Sequence, residues 1–354
     1  MNYQIVAQPV DRLPDLAAIS IAFVADRVLE LPARRDELTD PVLVERPLAN
    51  PFVKDYDALP GEGPASWSGR YDTSRWGLLA ARRPEGGWIG GAVVAWDTPG
   101  VAMLEGRRDL AVLWDLRVAP GLRRQGVGRA LFDAAAQWAV RHRCRDLKVE
   151  TQNINVAACR FYAAQGCRLR EVNADAYPDL PGEVQFIWRR DLRALRSLRP
   201  DDAPRLADAF AAIGWRKPAE TFLRYAAEEE AGARSCWVAE ELGNLAGYVT
   251  VRWPSPGAPE PAEIQDLNVL PSFRNRGIGT ALLDQAEAAV ARRGDVVQIA
   301  VGLHGGYGAA QRLYVRRGYV PDGRGASIEG RPVAEAAVVA LDDALVITLC
   351  KTLP

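Results

Sequence analysis

The chain has 354 residues, enough for two ordinary cores or one large one. A hydrophobic content of 48% with 25% charged residues is that of a soluble globular protein, and a net charge of −1 gives no support to a nucleic-acid or membrane-surface partner. Arginine greatly outnumbers lysine: Lys54, Lys148, Lys217 and Lys351 are the only lysines. No basic segment followed by an apolar run opens the chain, and no window holds about 18 consecutive apolar residues. Neither a signal peptide nor a membrane span is therefore expected. The five cysteines form no Cys-x-x-Cys pair, and His142 and His304 are the only histidines. The expectation is a cytoplasmic protein with reduced packing cysteines and no metal.

In chain order, residues 3–8 alternate as a first strand does, and a helix is expected from Leu13 to Leu31. Residues 40–75 are rich in Pro, Gly and Asp and predict an irregular lobe of the kind that often carries specificity. Trp76–Ala81 and Trp88–Trp96 read as a hairpin or meander. Leu113–Val118 is the next strand, with Asp115 and Arg117 on the face opposite Leu116 and Val118. A helix follows, with an apolar stripe at Val127, Ala130, Leu131, Ala134, Ala135, Trp138 and Ala139. Leu147–Thr151 is a strand. Asn155 to Gln165 is a helix stopped by Gly166, and Cys167–Val172 and Val184–Arg190 complete the unit.

The pattern restarts near Arg193. A short strand at Leu195–Leu198 precedes a helix opening near Ala203-Pro204 behind the acidic pair Asp201-Asp202. Trp215–Glu230 reads as a helix. Cys236–Glu241 and Ala246–Trp253 are strands around a turn at Gly243-Asn244, and Pro254–Pro261 is a proline-rich loop. Strand Ile264–Val269, strand Val296–Val301, helix Ala309–Arg317 and strands near Gly318–Pro321 and Leu345–Leu349 finish the chain.

Two strand-loop-helix junctions stand out. Arg123-Arg124-Gln125-Gly126-Val127-Gly128 lies between the strand ending at Val118 and a helix; Arg274-Asn275-Arg276-Gly277-Ile278-Gly279 lies between the strand ending at Val269 and a helix. Outward N–H groups, a helix dipole and glycine make each junction suited to an anionic group. Each is echoed downstream, by Arg160-Phe161-Tyr162-x-x-x-Gly166 and Arg312-Leu313-Tyr314-x-x-x-Gly318. The order of elements is the same in both halves. This predicts an α/β chain of two tandem domains, residues 1–192 and 193–354, with helices packed on a mixed sheet.

The loops are neither a P-loop nor a complete dinucleotide fingerprint. Val118-Ala119-Pro120-x-x-Arg123-Arg124-Gln125-Gly126-Val127-Gly128 and Val269-Leu270-Pro271-x-x-Arg274-Asn275-Arg276-Gly277-Ile278-Gly279 resemble the acetyl-CoA motif of the GCN5-related N-acetyltransferases (GNAT). The resemblance covers nearly the whole chain. It implies two GNAT-like domains, each a mixed, mostly antiparallel sheet with splayed central strands and flanking helices. It also implies acetyl-CoA as cosubstrate. The pyrophosphate would sit on the two loops, Arg129 and Thr280 included, and the pantetheine arm would pair with the strand ends at Val118 and Val269.

The first half is similar to streptothricin acetyltransferases through Glu150-Thr151-Gln152-Asn153-Ile154-Asn155-x-x-Ala158-Cys159-x-Phe161-Tyr162, with Lys54-Asp55-Tyr56 as a further likeness. Ribosomal-protein N-terminal acetyltransferases have a comparable Glu-to-Tyr spacing. By resemblance Glu150 is the candidate general base, Asn155 a partner of the pantetheine arm and Tyr162 the donor to the leaving sulfur. A substrate amine of pKa ~10 must lose a proton before attack, and a thiol of pKa ~8.5 can leave as thiolate. The second half keeps Tyr314 but has Gly302 and Tyr307 where the first has Glu150 and Asn155. Its base is expected at Glu263 or Asp266, while His304 is read as an incidental loop histidine without a partner.

The expected activity is N-acetylation of a primary amine on a small cationic molecule such as an antibiotic. The alternatives are acetylation of protein or peptide amines, or a chain in which one half is a non-catalytic acyl-CoA-binding or structural module. Monomer and homodimer are both compatible with tandem halves.

Overall fold

The computed structural model describes residues 2–31, 43–255, 257 and 260–354. Residues 40–42 of the predicted lobe and 256, 258 and 259 of the proline-rich loop lie outside them. The chain forms two compact units, Met1–Arg193 and Ala194–Pro354.

The first unit runs β1 (Gln4–Gln8), α1 (Leu13–Ala17), β2 (Phe23–Glu30), β3 (Val44–Lys54), α2 (Pro64–Arg70), β4 (Gly77–Arg82), β5 (Trp88–Trp96), β6 (Leu110–Val118), α3 (Val127–Arg141), β7 (Asp146–Gln152), α4 (Val156–Ala164), β8 (Arg168–Asn173) and β9 (Gln185–Asp191). Seven strands form one sheet in the order β1-β4-β5-β6-β7-β9-β8. Every adjacent pair is antiparallel except β6 and β7. Those two run parallel only from Leu110↔Asp146 to Leu113↔Val149. Beyond that, Trp114–Val118 and Glu150–Gln152 have no shared register, and the sheet opens. A bulge in the β5–β6 ladder, where Val93 faces Asp115 and Val94 faces Leu113, turns the end of β6 at the same place.

The sequence departs from this in two places. The helix expected from Leu13 to Leu31 ends at Ala17, and Phe23–Glu30 is a strand paired with β3. Pro14 sits early in the helix, while Phe23, Val24 and Val28 favour extended backbone, and the β3 ladder decides the outcome. The lobe expected to be irregular over 40–75 contains β3 and α2. Prolines 47 and 51 are accommodated in β3 because it belongs to a two-stranded ribbon with β2 alone.

α3 covers one face of the sheet through Val127, Leu131, Phe132, Ala135, Ala136, Ala139 and Val140. This stripe is turned slightly from the expected one, since Ala130, Ala134 and Trp138 are half-buried. The Trp138 ring fills the space over Gly77, where an added Cβ would lie 2.5 Å from it. α1 and α2 contribute Leu13, Leu16 and Trp67 to a second cluster with Trp76, Leu78, Val93 and Val112. Each such buried large side chain contributes about 1.5–3 kcal/mol.

The second unit runs β10 (Arg193–Ser197, whose first residue closes the first unit), α5 (Asp202–Ala211), α6 (Ala219–Glu230), β11 (Arg234–Glu241), β12 (Asn244–Arg252), β13 (Ala262–Val269), α7 (Ile278–Ala291), β14 (Val296–Gly302), α8 (Gly308–Arg316), β15 (Val320–Ile328), β16 (Arg331–Pro332) and β17 (Leu345–Thr352). Its sheet order is β10-β11-β12-β13-β14-β17-β15-β16. β13 and β14 are parallel only from Ala262↔Val297 to Ile264↔Ile299, and a bulge again interrupts the neighbouring ladder, between Tyr248 and Thr250. α7 packs Leu282, Leu283, Ala286 and Val290 against Val249, Ile264, Val297 and Ile299. α5 and α6 pack Leu206, Phe210 and Phe222 with Val238 and Tyr248. The helix predicted from Trp215 starts at Ala219, because Pro218 stands at its N-cap.

Candidate active sites

In the first unit β6 ends at Val118, whose one edge is held by Gly90 of β5 and by the Ala119 N–H donating to the Ile89 carbonyl (2.9 Å). The other edge faces the opening. The loop then turns through Arg124 at φ 65° and Gly126 at φ 86°, both left-handed. No side chain caps α3, and its first internal bond is Ala130 N–H to the Gly126 carbonyl (3.0 Å). The N–H groups of Gly126, Val127, Gly128 and Arg129 therefore have no partner within the helix and converge at its positive end. Gly128 keeps the floor low, with an added Cβ in contact with Val118 and Phe161. These features fit an anionic diphosphate held by backbone donors.

The loop arginines have distinct tasks. Arg123 donates to the carbonyls of Val118, Ala22 and Ser20 (each 3.1 Å), so it fixes the loop. Gln125 donates to the Gly121 carbonyl (3.3 Å), while Arg124 and Arg129 are exposed.

The second loop repeats the backbone, with Asn275 at φ 61°, Gly277 at φ 83° and Ala281 N–H bonding the Gly277 carbonyl (3.0 Å). Ile278, Gly279 and Thr280 open α7 as Val127, Gly128 and Arg129 open α3. Arg274 donates to the Val269 carbonyl (3.0 Å) as Arg123 does to that of Val118. Arg276 instead turns back to buried Glu241 (2.5 Å).

Glu150 stands in β7 just past the last residue paired with β6. Its Oε1 accepts from the Tyr177 hydroxyl (2.5 Å) and its Oε2 from Gln185 Nε2 (2.9 Å). Gln152 donates to the Tyr177 oxygen (3.0 Å). Beside them buried Glu183 accepts from the Tyr56 hydroxyl (2.5 Å) and pairs with Lys54. Burial pushes both phenols well above the usual tyrosine range, with Glu183 adding to it at Tyr56 and Glu150 at Tyr177, so both remain donors. Tyr177, Glu183 and Gln185 were not singled out by sequence. They lie far along the chain, and only the β7–β9 register, Gln152↔Gln185, brings them to Glu150.

Asn155 caps α4, its Oδ1 accepting from Ala158 N–H (3.2 Å), which leaves its amide N–H₂ available. Tyr162 is buried against Phe132 and Phe161, and its hydroxyl has no hydrogen-bond partner among the described residues. Burial raises its pKa, with the nearby Asp115 charge acting in the same direction. Asp115 itself is locked: Arg117 donates to both its oxygens (2.9 and 2.5 Å), to Asp57 (2.6 and 3.2 Å) and to the Ile19 carbonyl (3.0 Å).

The second unit arranges its polar groups differently. The register corrects one expectation: Ala300, the residue just past the last parallel pair, stands level with Glu150, whereas Gly302 closes β14 two residues later, where the Tyr307 ring occupies the space a side chain would need. A cleft of about 270 Å³ lies between the diverging strands, lined by Tyr225, Glu263, Ile264, Gln265, Asp266 and Ala300. Both expected acids thus face one opening. Glu263 is engaged by Arg252 (2.7 Å) and Gln265 (2.9 Å). Asp266, at φ 51°, accepts from the Tyr225 hydroxyl and pairs with Lys217 (2.8 Å). Tyr314 is buried, with no hydrogen bond to its hydroxyl among the described residues. His304 does have partners, contrary to expectation: Asp343 at 2.7 Å on Nε2 and the Gly306 N–H on Nδ1 at 3.1 Å.

Among the described residues no group of His, Cys, Asp and Glu is placed to hold a metal ion, and no helix is long and apolar enough to cross a membrane.

The acetyltransferase (GNAT) family model matches residues 53–167 and again 193–319. The chain belongs to this family. GNAT acetyltransferases use acetyl-CoA. Streptothricin acetyltransferase A of Bacillus subtilis (strain 168) is 36% identical over 80 residues, 22% of this chain and 46% of that protein. The streptothricin acetyltransferase of Escherichia coli is 31% identical over 83 residues, 23% and 48% respectively. The chain spans about half the length of these curated relatives. Among solved structures, nourseothricin acetyltransferase has a TM-score of 0.42 at 22% identity, covering 54% of this chain and 99% of that one. The ribosomal L7/L12 α-N-protein acetyltransferase has a TM-score of 0.35 at 17% identity, covering 46% and 94%.

Proposed function

We propose that the chain is an acetyl-CoA-dependent N-acetyltransferase whose first unit acetylates a primary amine of a small cationic molecule, such as a streptothricin-like antibiotic. One observation carries it: Glu150 stands where β6 and β7 part, held on both oxygens by Tyr177 and Gln185. Glu183 adds a second carboxylate beside it, paired with Lys54 and bonded by the Tyr56 hydroxyl. The two similar streptothricin acetyltransferases match the same half in kind.

In this scheme the loop at Gly126 holds the CoA diphosphate on its backbone N–H groups, and Asn155 offers its amide to the pantetheine arm. Glu150 takes the amine proton directly or through water. The amine nitrogen attacks the thioester carbonyl, and Tyr162 donates to the departing sulfur. Its raised pKa keeps the phenol protonated for that step. In the second unit the same cradle and Tyr314 serve acetyl-CoA, with Glu263 or Asp266 as base.

Glu150→Gln is expected to slow transfer on the order of 10²-fold while CoA affinity is kept. Turnover equal to the parent protein would remove Glu150 as the base. A panel of aminoglycoside, streptothricin and peptide amines, read by thiol release, assigns the acceptor; transfer to peptides alone would overturn the small-molecule assignment.

A further inference from the structure

Three of the four lysines belong to internal ion pairs: Lys54 with Glu183, Lys148 with Glu105 and Lys351 with Glu287. Lys217 is different in where its partner lies. Its Nζ is 2.8 Å from Asp266 Oδ2, and Asp266 is a wall of the cleft between the splayed strands β13 and β14. The ammonium also lies over the Tyr248 ring, 5.2 Å from its centroid. A carboxylate and an aromatic face are what a protein uses to hold a substrate ammonium. The neighbours Gly214, Trp215, Arg216 and Pro218 are exposed, so the side chain reaches inward from the surface. Asp266 takes a left-handed φ of 51° at the bulge between β12 and β13, which lifts it out of the regular ladder.

We propose that Lys217 is an internal acceptor, acetylated on its ε-amine from acetyl-CoA bound at the Gly277 loop. The proposal rests on the acetyl-CoA function proposed above. The ammonium passes one proton to Asp266, directly or through water, and Asp266 releases it to solvent. The freed Nζ lone pair forms a bond to the thioester carbonyl carbon, and the carbon–sulfur bond breaks. The sulfur keeps the electron pair and takes a proton from Tyr314, which recovers one from the new amide nitrogen through water. The products are Nε-acetyl-lysine at position 217 and free CoA. Acetylation removes the positive charge and leaves Asp266 with Tyr225 as its donor. The cleft then becomes net negative and suited to an external cationic amine.

The test is incubation of the full chain with acetyl-CoA, followed by intact mass, peptide mapping and a count of bound CoA. One acetyl group is expected at Lys217, with labelling that saturates in acetyl-CoA and is suppressed by excess free CoA. Asp266→Asn should slow labelling on the order of 10²-fold. Asparagine tolerates the left-handed backbone, so the variant is expected to fold. Purely chemical acetylation would behave in the opposite way, since losing the carboxylate frees the amine. Labelling that ignores free CoA and is not slowed in Asp266→Asn overturns the proposal. Absence of label with two CoA molecules bound per chain overturns it and leaves the acetyl-CoA function standing. Absence of both label and binding at the second loop removes both.

Discussion

The residue just past the last parallel pair on the second strand of the opening is Glu150 in the first unit and Ala300 in the second; Gly302 lies two residues further on, where the Tyr307 ring lies 2.4 Å from an added Cβ. The facing strand shows the reverse. Asp115 and Asp266 stand at matching places before Val118 and Val269. Asp115 is bound to Arg117 and closed off, whereas Asn268 stands where Arg117 would be, and Asp266 lines the cleft. A carboxylate is present on one wall of each opening, but the wall has changed. What differs is the source of the cation: Asp115 is gripped by Arg117 two residues along the same strand, whereas Asp266 pairs with Lys217 from the segment before α6 and stays on the cleft wall.

The contrast can be broken most forcefully at Arg117. Arg117→Met leaves Asp115 buried without its partner, and the first unit should lose about 3–5 kcal/mol in denaturant titration. Asn268→Leu in the second unit should cost only about 1 kcal/mol, the worth of its bonds to Tyr248 and the Asp266 carbonyl. Equal losses would show that Arg117 has no special role. The second unit's filled position comes next. Gly302→Ala should cost about 1–3 kcal/mol by overpacking against Tyr307, and Tyr307→Ala in the same chain should recover part of it. A neutral Gly302→Ala would mean that the ring yields freely and that this wall could still accept a side chain. The smallest effect is at Asn155, where Asn155→Ala should cost about 1 kcal/mol by uncapping α4. Asn155→Asp keeps the cap and loses the free amide. If acetyl-CoA affinity falls equally in both, the amide binds ligand; if it is restored in Asn155→Asp, only the cap mattered.

Much of this was legible in the sequence because it is local. An Arg/Gly loop between a strand and a helix fixes its own backbone, and Arg124, Gly126, Asn275 and Gly277 are found in the left-handed region such a turn requires. Tyr162 and Tyr314 follow at similar spacing and are both buried. Long-range pairing was not legible. Phe23–Glu30 reads as helix until β3 is present to pair with it. Tyr177 and Gln185 reach Glu150 only through a loop and a strand register, and Lys217 meets Asp266 only after α6 has packed beside β11 and β12. Nor could sequence foresee the partners of His304, since Asp343 lies beyond α8, β15 and β16 and comes back to it only in the folded unit.

The short parallel pairing, which runs from Leu110↔Asp146 to Leu113↔Val149 in one unit and from Ala262↔Val297 to Ile264↔Ile299 in the other, bears on how the halves could drift apart. Its opening is bordered by main chain, and main-chain donors and acceptors are not erased by substitution. Mutation can therefore rewrite the amine side of each opening, exchanging Glu150 for Ala300 or Arg117 for Asn268, without erasing recognition of a common thioester arm. A duplicated gene built on such a gap can diverge in acceptor while inheriting its donor.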